Sequence, residues 1–438
     1  EIAPLIPWFA LSVAAGALTA WVEHAFINRG IDDFALGFLQ RGLLAGRAIW
    51  FYLGKLVWPF DLMFVYPRWT IDPALWWQYL FPAGILLLAL AGWRWRRHRG
   101  VVAAGLFFVG SLFPALGFVN IYPFTFSFVA DHFQYLASLG IFALAGAGLA
   151  LLFAGRSTAV ATAVMLGLVG TLSVLTGRQS STYRDNFTLY EATLAKNPSA
   201  AMAHHNLAQE LMDAGRVNEA IPHLEAALAL RPNSVKAAYN FARARLILRD
   251  SAAAIPLLER AVRLDPTHAF ARNDLGFALM NQQRLDPAEE QLKMAVQLKP
   301  DYALAHFNLA SLLAKKGDHG KAIEHFAAAA RVQPGSPETE VGWAISLMAL
   351  ERVGESLAHF ERATRLAPER TDIQNLFAKA QVVRDRLTAA IASHRAALAA
   401  NPGSAELHFN LGTALQKMGQ REESAQHLAE AARLGWKN

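Results

Sequence analysis

Proline recurs every 34 residues through the second half of the chain, at Pro198, Pro232, Pro266, Pro300, Pro334, Pro368 and Pro402. Proline has no backbone N–H and cannot continue a helix, so each of these residues marks a helix end. A fixed period of this length predicts repeated helical units, each of which buries its apolar face against its neighbours.

Other positions of the repeat follow the same period when the units start at residues 201, 235, 269, 303, 337, 371 and 405. Position 8 is always small, and it is occupied by Ala208, Ala242, Gly276, Ala310, Ala344, Ala378 and Gly412. Position 27 is always alanine, at Ala227, Ala261, Ala295, Ala329, Ala363, Ala397 and Ala431. Large apolar residues at position 7 supply a continuous core. A period of 34 residues is that of the tetratricopeptide repeat, so residues 201–438 are predicted to form seven such repeats. Residues 179–200 are predicted to form the junction and a capping helix.

The first 178 residues have a different composition. They hold 11 Lys/Arg and 7 Asp/Glu, whereas the remainder holds 30 and 28. Crossing a hydrocarbon core of ~30 Å takes roughly 20 apolar residues in a helix. Segments 5–22, 75–93, 101–119, 135–153 and 158–176 meet this requirement, with the last two read as a hairpin. The fold class is therefore predicted to be all-α, with a polytopic transmembrane bundle over residues 1–178 and a repeat solenoid after it.

Four arginines, Arg94, Arg96, Arg97 and Arg99, lie between two of these segments. Short basic loops stay in the cytoplasm, so alternation of the spans places the repeats outside, on the periplasmic side of a bacterial inner membrane. The charges of the repeats alternate in sign, which argues against a nucleic-acid partner. The sequence contains no cysteine, which excludes a thiolate nucleophile or a thiolate metal site.

Residues 36–58 are long enough to span but carry Gln40, Arg41, Arg47 and Lys55. On a helical projection these residues and Tyr52 fall on one side, opposite an apolar face. A charged stripe is costly inside a bilayer, so we expect an amphipathic helix on the outer membrane surface; a further crossing is the alternative.

Several local motifs accompany this architecture: LGKLVWP at 53–59, YPRW at 66–69, DHFQYL at 131–136 and YRDN at 183–186. With the membrane segments and the repeats they resemble the transmembrane and tetratricopeptide-repeat O-mannosyltransferases and their bacterial relatives, of the GT-C class. The resemblance implies a polyprenyl-phosphate-linked sugar as donor substrate, with no bound cofactor, and proteins as acceptors; it leaves divalent-metal dependence open. Enzymes of this class carry catalytic acids in the first outer loop. Since the chain starts at Glu1, without that loop, we expect it to be N-terminally truncated, and its catalytic residues remain unknown.

The resemblance also implies a site for the lipid phosphate at the outer membrane surface. The candidate donors are Arg41, Arg47, Lys55 and Arg68, for which general contact with lipid headgroups is the alternative. Asp131 and His132 are candidate walls of the active site. Their alternative roles are a helix N-cap for Asp131 and an interfacial filler for His132.

Position 6 of the repeats carries a row of polar side chains: Asn206, Asn240, Asp274, Asn308 and Asn410, interrupted by Gly342 and Leu376. It resembles the asparagine ladder of the nucleocytoplasmic O-GlcNAc transferase, which grips a peptide backbone. An amide both donates and accepts hydrogen bonds, so we expect a solvent-facing row that binds an extended acceptor; a merely tolerated polar surface is the alternative. His204, His306 and His408 share position 4 and are expected to be packing or surface residues, not a metal site.

These observations predict the C-terminal portion of a membrane glycosyltransferase whose repeats capture acceptor proteins. A non-enzymatic membrane scaffold for envelope proteins is the chief alternative, and an oligosaccharide ligase or polymerase of related design is another. Both alternatives retain the membrane segments and the solenoid.

Overall fold

A computed structural model describes residues 18, 21, 36–94, 99–118 and 122–437. The segment predicted as the first span, 5–22, lies outside the described residues except for two positions. The chain divides into two compact units, residues 1–232 and 233–438.

The α-helices of the first unit among the described residues are α1 Phe38–Val57, α2 Leu80–Arg94, α3 Arg99–Leu112, α4 Tyr135–Phe153, α5 Thr158–Ser181, α6 Asn186–Lys196, α7 Ala201–Asp213 and α8 Val217–Leu230. Short 3-10 turns at Trp76–Tyr79 and Asp131–Gln134 lead directly into α2 and α4. The second unit contains α9 Val235–Ile247, α10 Ser251–Leu264, α11 Ala269–Asn281, α12 Leu285–Leu298, α13 Ala303–Lys315, α14 His319–Val332, α15 Pro337–Ala349, α16 Val353–Leu366, α17 Thr371–Ala400, α18 Ala405–Lys417 and α19 Arg421–Arg433.

Three helical segments of the described part are long and apolar enough to cross a membrane: Trp76–Arg94, Asp131–Phe153 and Thr158–Ser181. They correspond to three of the predicted spans. The predicted span at 101–119 appears as a shorter apolar helix, Arg99–Ala115. Along α5, which is described throughout, no residue is buried within the protein. An apolar helix of this length that packs on so little protein is suited to a lipid environment.

A glycine allows α3 and α4 to pack closely. A Cβ at Gly140 of α4 would lie 2.9 Å from the carbonyl oxygen of Ala104 in α3, so only glycine permits this approach. By contrast, Gly146, Gly148, Gly167 and Gly170 meet no other atom of the described chain within 4 Å of such a Cβ.

Helix α1 is a core element of the first unit. Tyr52, assigned by sequence to the charged stripe, is fully buried and packs with Phe108, Leu112 and Val129. Its hydroxyl oxygen accepts a hydrogen bond from the Ala130 backbone N–H at 3.2 Å. The assignment of Tyr52 to the exposed face was therefore wrong, because a tyrosine can bury its ring when its hydroxyl finds a partner. The position of α1 on the membrane surface stays a prediction.

The repeats form antiparallel helix pairs whose turn lies at position 15. This residue is left-handed in six of the seven repeats, at Gly215, Arg249, Gln283, Gly317, Glu351 and Gly419, with φ between 58° and 86°. A left-handed residue ends a helix by satisfying its last carbonyl groups. Asp385 occupies the same position in the sixth repeat without this conformation, and α17 continues for 30 residues. Residues 201–437 therefore contain six helix pairs and one straight helix instead of seven equal pairs.

The predicted small positions lie in the core of the paired repeats. Ala208, Ala242, Ala310 and Ala344 have no exposed surface, and a Cβ at Gly276 would lie 2.5 Å from Leu292. In the straight helix the equivalent residue, Ala378, is exposed. Ile373 and Ala380 are buried in α17 instead, because a helix without the turn presents a different face to its neighbours.

Candidate functional site

In the first unit a polar cluster joins Tyr66 to Asp131. The buried Tyr66 donates its hydroxyl hydrogen to Oδ1 of Asp131 at 2.7 Å. Asp131 begins the turn that leads into α4, but the residue at the N-cap is Ala130 and no side chain caps this turn. Its carboxylate is thus turned toward Tyr66 and away from the capping role considered from sequence. Burial and the Asp131 carboxylate both raise the pKa of Tyr66, so the phenol keeps its proton at neutral pH.

Lys55 belongs to the surroundings of this cluster. Its Nζ donates to the carbonyl oxygens of Phe60 and Asp61 at 2.5 and 3.4 Å and lies 5.5 Å from the ring centre of Tyr66. Burial lowers the pKa of Lys55, while the charges of Asp131 and Asp61 oppose that shift. A cation, a carboxylate and a phenol therefore meet at the C-terminal end of α1.

The other basic candidates have separate partners. Arg41 donates to the carbonyl oxygens of Leu36 and Gly117 at 3.1 and 2.6 Å. The guanidinium of Arg47 lies 4.3 Å above the ring of Trp69, and burial lowers its pKa. Arg41, Arg47 and Lys55 each contact different groups of the protein. The four predicted phosphate donors therefore do not share one set of partners in the described structure.

Arg68 and His132 lie on the surface of the unit. The guanidinium of Arg68 is 5.0 Å above the ring of Phe128. His132 is exposed, with its ring edge-on to Phe133 at a centroid distance of 4.6 Å. Of the predicted candidates, Asp131 and Lys55 are those that the structure brings into one environment.

The capping helix and the start of the first repeat pack on the loop that contains Tyr66. Lys196 donates to the carbonyl oxygen of Leu62 at 2.8 Å, and Asn197 donates to that of Val65 at 3.0 Å. Val65 is buried together with Ala200 of the junction and Ala203 of the first repeat. Sequence reasoning predicted the junction but missed its contact with this loop. The apolar run at 62–66 was a signal, since an exposed loop would not need it.

The second unit contains a cleft lined by part of the predicted ladder. Asp274 and Asn308 line it together with Arg243, Asn273, Phe277 and Leu304, and its volume is about 240 Å³. Asn308 donates to Oδ1 of Asn273 at 2.9 Å, and Asn273 donates to Oδ1 of Asp274 at 2.9 Å. Burial raises the pKa of Asp274. The cleft thus combines a linked amide–carboxyl chain with apolar side chains.

The expectation of a solvent-facing row is wrong at Asn308, which is 5% exposed. Asn240 and Asn410 are half-buried in the second unit. Asn206, in the first unit, donates to the hydroxyl of Tyr190 at 3.2 Å. Asn273, which sequence reasoning missed, is 1% exposed and connects Asn308 to Asp274. Its position, one residue before the row, gave little signal, because only one other repeat carries an asparagine there, Asn375, and the remaining five carry unlike residues.

A family model for the tetratricopeptide repeat matches residues 205–269, 273–337 and 341–405. The second half of the chain is a tetratricopeptide-repeat solenoid. Solved structures with similar folds include YrrB, described as a tetratricopeptide-repeat protein with an unusual peptide-binding site, at 20% identity, 43% of this chain, 96% of that chain and a TM-score of 0.37. Another is a thermophilic tetratricopeptide-repeat protein of Thermus thermophilus, at 25% identity, 42% of this chain, 100% of that chain and a TM-score of 0.36.

A curated relative is the protein O-mannosyl-transferase TMTC1 of Mus musculus. The two sequences are 31% identical over 140 residues, which is 31% of this chain and 14% of the mouse protein. The chain therefore matches a small part of that relative's length.

Proposed function

We propose that this chain is the C-terminal portion of a membrane glycosyltransferase that moves a sugar from a polyprenyl-phosphate donor to proteins held by its repeats. The observation that carries the proposal is the similarity to a protein O-mannosyl-transferase, in a chain that joins apolar, membrane-length helices to tetratricopeptide repeats. Tetratricopeptide solenoids generally offer extended surfaces for binding peptides or proteins. The donor lipid and the acceptor protein would then be bound by different parts of one chain.

The geometry of the first unit supports this division of roles. The loop at 62–66 carries Tyr66, which contacts Asp131, and the same loop binds Lys196 and Asn197 of the junction before the first repeat. An acceptor segment leaving the first repeat would pass close to the Asp131 cluster. We assign Asp131 the role of a wall residue that orients the acceptor or donor.

The test uses the full-length product of the reading frame, reconstituted in liposomes with polyprenyl-phosphate sugars and extracted envelope proteins. Mass spectrometry of tryptic peptides would detect the added sugar residues. We expect Asp131→Asn to reduce the transfer rate about 10- to 100-fold, because an amide loses the charge at this position. The matched control is Asp301→Asn, which removes the same charge at an exposed residue of the second unit.

The result decides between the enzyme and the scaffold. Wild-type protein that binds envelope proteins but transfers no sugar from any donor tested would favour the non-enzymatic scaffold. Equal losses in Asp131→Asn and Asp301→Asn would remove Asp131 from the site and leave the transferase activity itself intact.

A further inference from the structure

A second cleft lies in the first unit, between the loops of the membrane part and the first repeat. Its volume is about 200 Å³, and its walls include Arg68, Phe126, Ser199, Leu230 and Arg231. Arg68 comes from the loop between α1 and α2, and Arg231 follows the end of α8 in the first repeat. Two parts of the chain that are 163 residues apart each contribute an arginine.

Both guanidinium groups are oriented by aromatic rings. Arg231 lies 4.9 Å above Phe126 and donates to the carbonyl oxygen of Thr125. Arg68 lies 5.0 Å above Phe128. A guanidinium group has five N–H donors, so a group that stacks on a ring and binds a carbonyl can also bind a ligand. Stacking also reduces the entropy that these side chains lose when a ligand binds.

The chemistry of the walls selects a class of ligand. Among the ten residues that line the cleft, all within the described part of the chain, none is acidic. Paired guanidinium groups match the geometry and charge of phosphate oxygens. Val65, Phe126, Met202 and Leu230 form the apolar part of the walls, which suits a ligand that carries an apolar chain beside its anionic group.

The cleft lies close in sequence to the starts of two candidate spans. Arg68 precedes Trp76 by eight residues, and Phe126 precedes Asp131 by five. Trp76 is 73% exposed, and tryptophan at the end of a span is typical of the membrane–water interface. A ligand with its chain in the bilayer could reach the cleft with its head group.

We propose that this cleft binds a phosphate monoester or diphosphate, with the first repeat providing Arg231 as half of the site. Arg68 was already a candidate donor; the new element is that the repeat solenoid takes part in binding the anion. Identification of this anion with the sugar donor rests on the proposed function, whereas the binding itself does not.

The experiment measures binding to the full chain in neutral detergent micelles, by isothermal titration calorimetry. The probes are farnesyl phosphate, farnesol and inorganic phosphate. We expect Arg68→Gln and Arg231→Gln each to weaken farnesyl phosphate binding about 10- to 100-fold, as for the loss of a charged hydrogen-bond partner. The charge-matched control is Arg184→Gln, at a side chain that is 79% exposed and paired with Asp185, which we expect to change affinity less than about twofold.

Thermal unfolding of each variant checks that it folds. If Arg231→Gln fails this check, Arg231→Lys replaces it, because lysine keeps the charge but loses the planar fork, and should weaken binding several-fold. Tighter binding of farnesyl phosphate than of inorganic phosphate would identify a lipid-borne ligand. Equal binding of the two, lost in both variants, would identify a soluble phosphate.

The proposal is overturned if neither phosphate binds, if farnesol binds as tightly as farnesyl phosphate, or if folded Arg68 and Arg231 variants keep wild-type affinity. These outcomes are separable from those of the proposed function, since binding is measured without turnover. A protein that binds farnesyl phosphate through both arginines but transfers no sugar would keep this site and refute the transferase.

Discussion

Three histidine pairs connect the two helices of three repeats. The Nδ1–Nδ1 distances are 2.9 Å for His204–His223, 3.1 Å for His306–His325 and 2.9 Å for His408–His427. In each pair the first histidine also contacts a proline carbonyl oxygen through Nε2, at 3.0 to 3.1 Å. A carbonyl only accepts, so Nε2 carries the hydrogen and Nδ1 accepts one from the partner ring. The predicted packing role of the position-4 histidines is consistent with these neutral pairs.

We predict that the solenoid loses stability as the pH falls below about 6.5, the usual pKa of histidine in an unfolded chain. Burial, followed by the neighbouring imidazole, lowers the pKa of His223, His325 and His427. Below pH ~6.5 the unfolded chain therefore binds more protons than the folded chain, so the stabilisation present above that pH is lost as the pH falls toward the folded-state pKa.

The charged groups beside these histidines modify the size of the effect. Glu191 faces His223; Glu324 and Lys293 face His325; Glu423 and Arg395 face His427. Melting temperatures of the full chain between pH 8 and 5 would measure the effect. Replacing His223, His325 and His427 with glutamine should flatten the pH dependence of the melting temperature. An unchanged dependence would show that other groups control it.

Asn308 tests whether the amide chain in the cleft of the second unit is structural. Replacement with alanine removes the donor to Oδ1 of the buried Asn273, and we expect the free energy of unfolding to fall by about 1–3 kcal/mol. Asn410→Ala, at a half-buried member of the same row, should change it by less than about 0.5 kcal/mol. Chemical denaturation of the full chain in micelles would compare them. Equal stability of both variants would return Asn308 to the role of a surface binding residue.

At the scale of elements, the helix pairs were predictable because small residues and prolines recur in every repeat. The straight helix α17 was not predictable. Arg249, Gln283 and Glu351 adopt the left-handed turn conformation without being glycine, so the lack of a glycine at Asp385 did not show that the turn would be missing there.

The turn between α15 and α16 packs on the turn between α18 and α19. Lys417 pairs with Glu351 at 3.1 Å, and Arg421 pairs with Glu355 at 3.3 Å. This contact spans two repeats, so a pattern within one repeat could not reveal it.

Two glycines at position 18 give opposite predictions. A Cβ at Gly354 would lie 2.1 Å from the carbonyl oxygen of Met418, and backbone cannot move aside cheaply. We expect Gly354→Ala to destabilise the protein by about 1–3 kcal/mol. At Gly320 the nearest atom would be 3.9 Å away, so Gly320→Ala should stabilise it by about 0.5–1 kcal/mol. Denaturant midpoints of the two variants provide the comparison. An unchanged denaturant midpoint for Gly354→Ala would mean that the turn before α16 does not contact the turn between α18 and α19.

At the scale of the whole chain, the sequence predicted both kinds of structure but only part of the site. Periodicity and hydropathy are local patterns and therefore identified the solenoid and the apolar helices. The partnerships of Tyr66 with Asp131 and of Lys196 with Leu62 join residues 65 and 134 positions apart. Such contacts depend on how the loops pack, which no spacing in one sequence encodes.

Contacts in the first unit constrain its membrane topology. Leu62 and Val65 accept hydrogen bonds from Lys196 and Asn197, and Thr125 accepts one from Arg231. If the apolar helices cross a membrane, these three segments lie on the same side of it. An even number of crossings separates residues 65 and 125, so Trp76–Arg94 and the shorter Arg99–Ala115 should both cross. At 1.5 Å per residue the 17 residues of the latter span roughly 25 Å, a few Å less than the hydrocarbon core, which local thinning can accommodate.

The absolute orientation follows from the arginines between these two helices, Arg94 to Arg99, which favour the cytoplasm. We therefore predict that the repeats are extracytoplasmic. A phosphatase fused after Asn438 should be active and a green fluorescent protein at the same site dark, whereas fusions after Arg97 should give the opposite result. Fluorescence after Asn438 with phosphatase activity after Arg97 would invert the topology. Identical signals at both sites would contradict the pair of crossings. The three segments between Arg97 and the repeats, Arg99–Ala115, Asp131–Phe153 and Thr158–Ser181, would then not all cross.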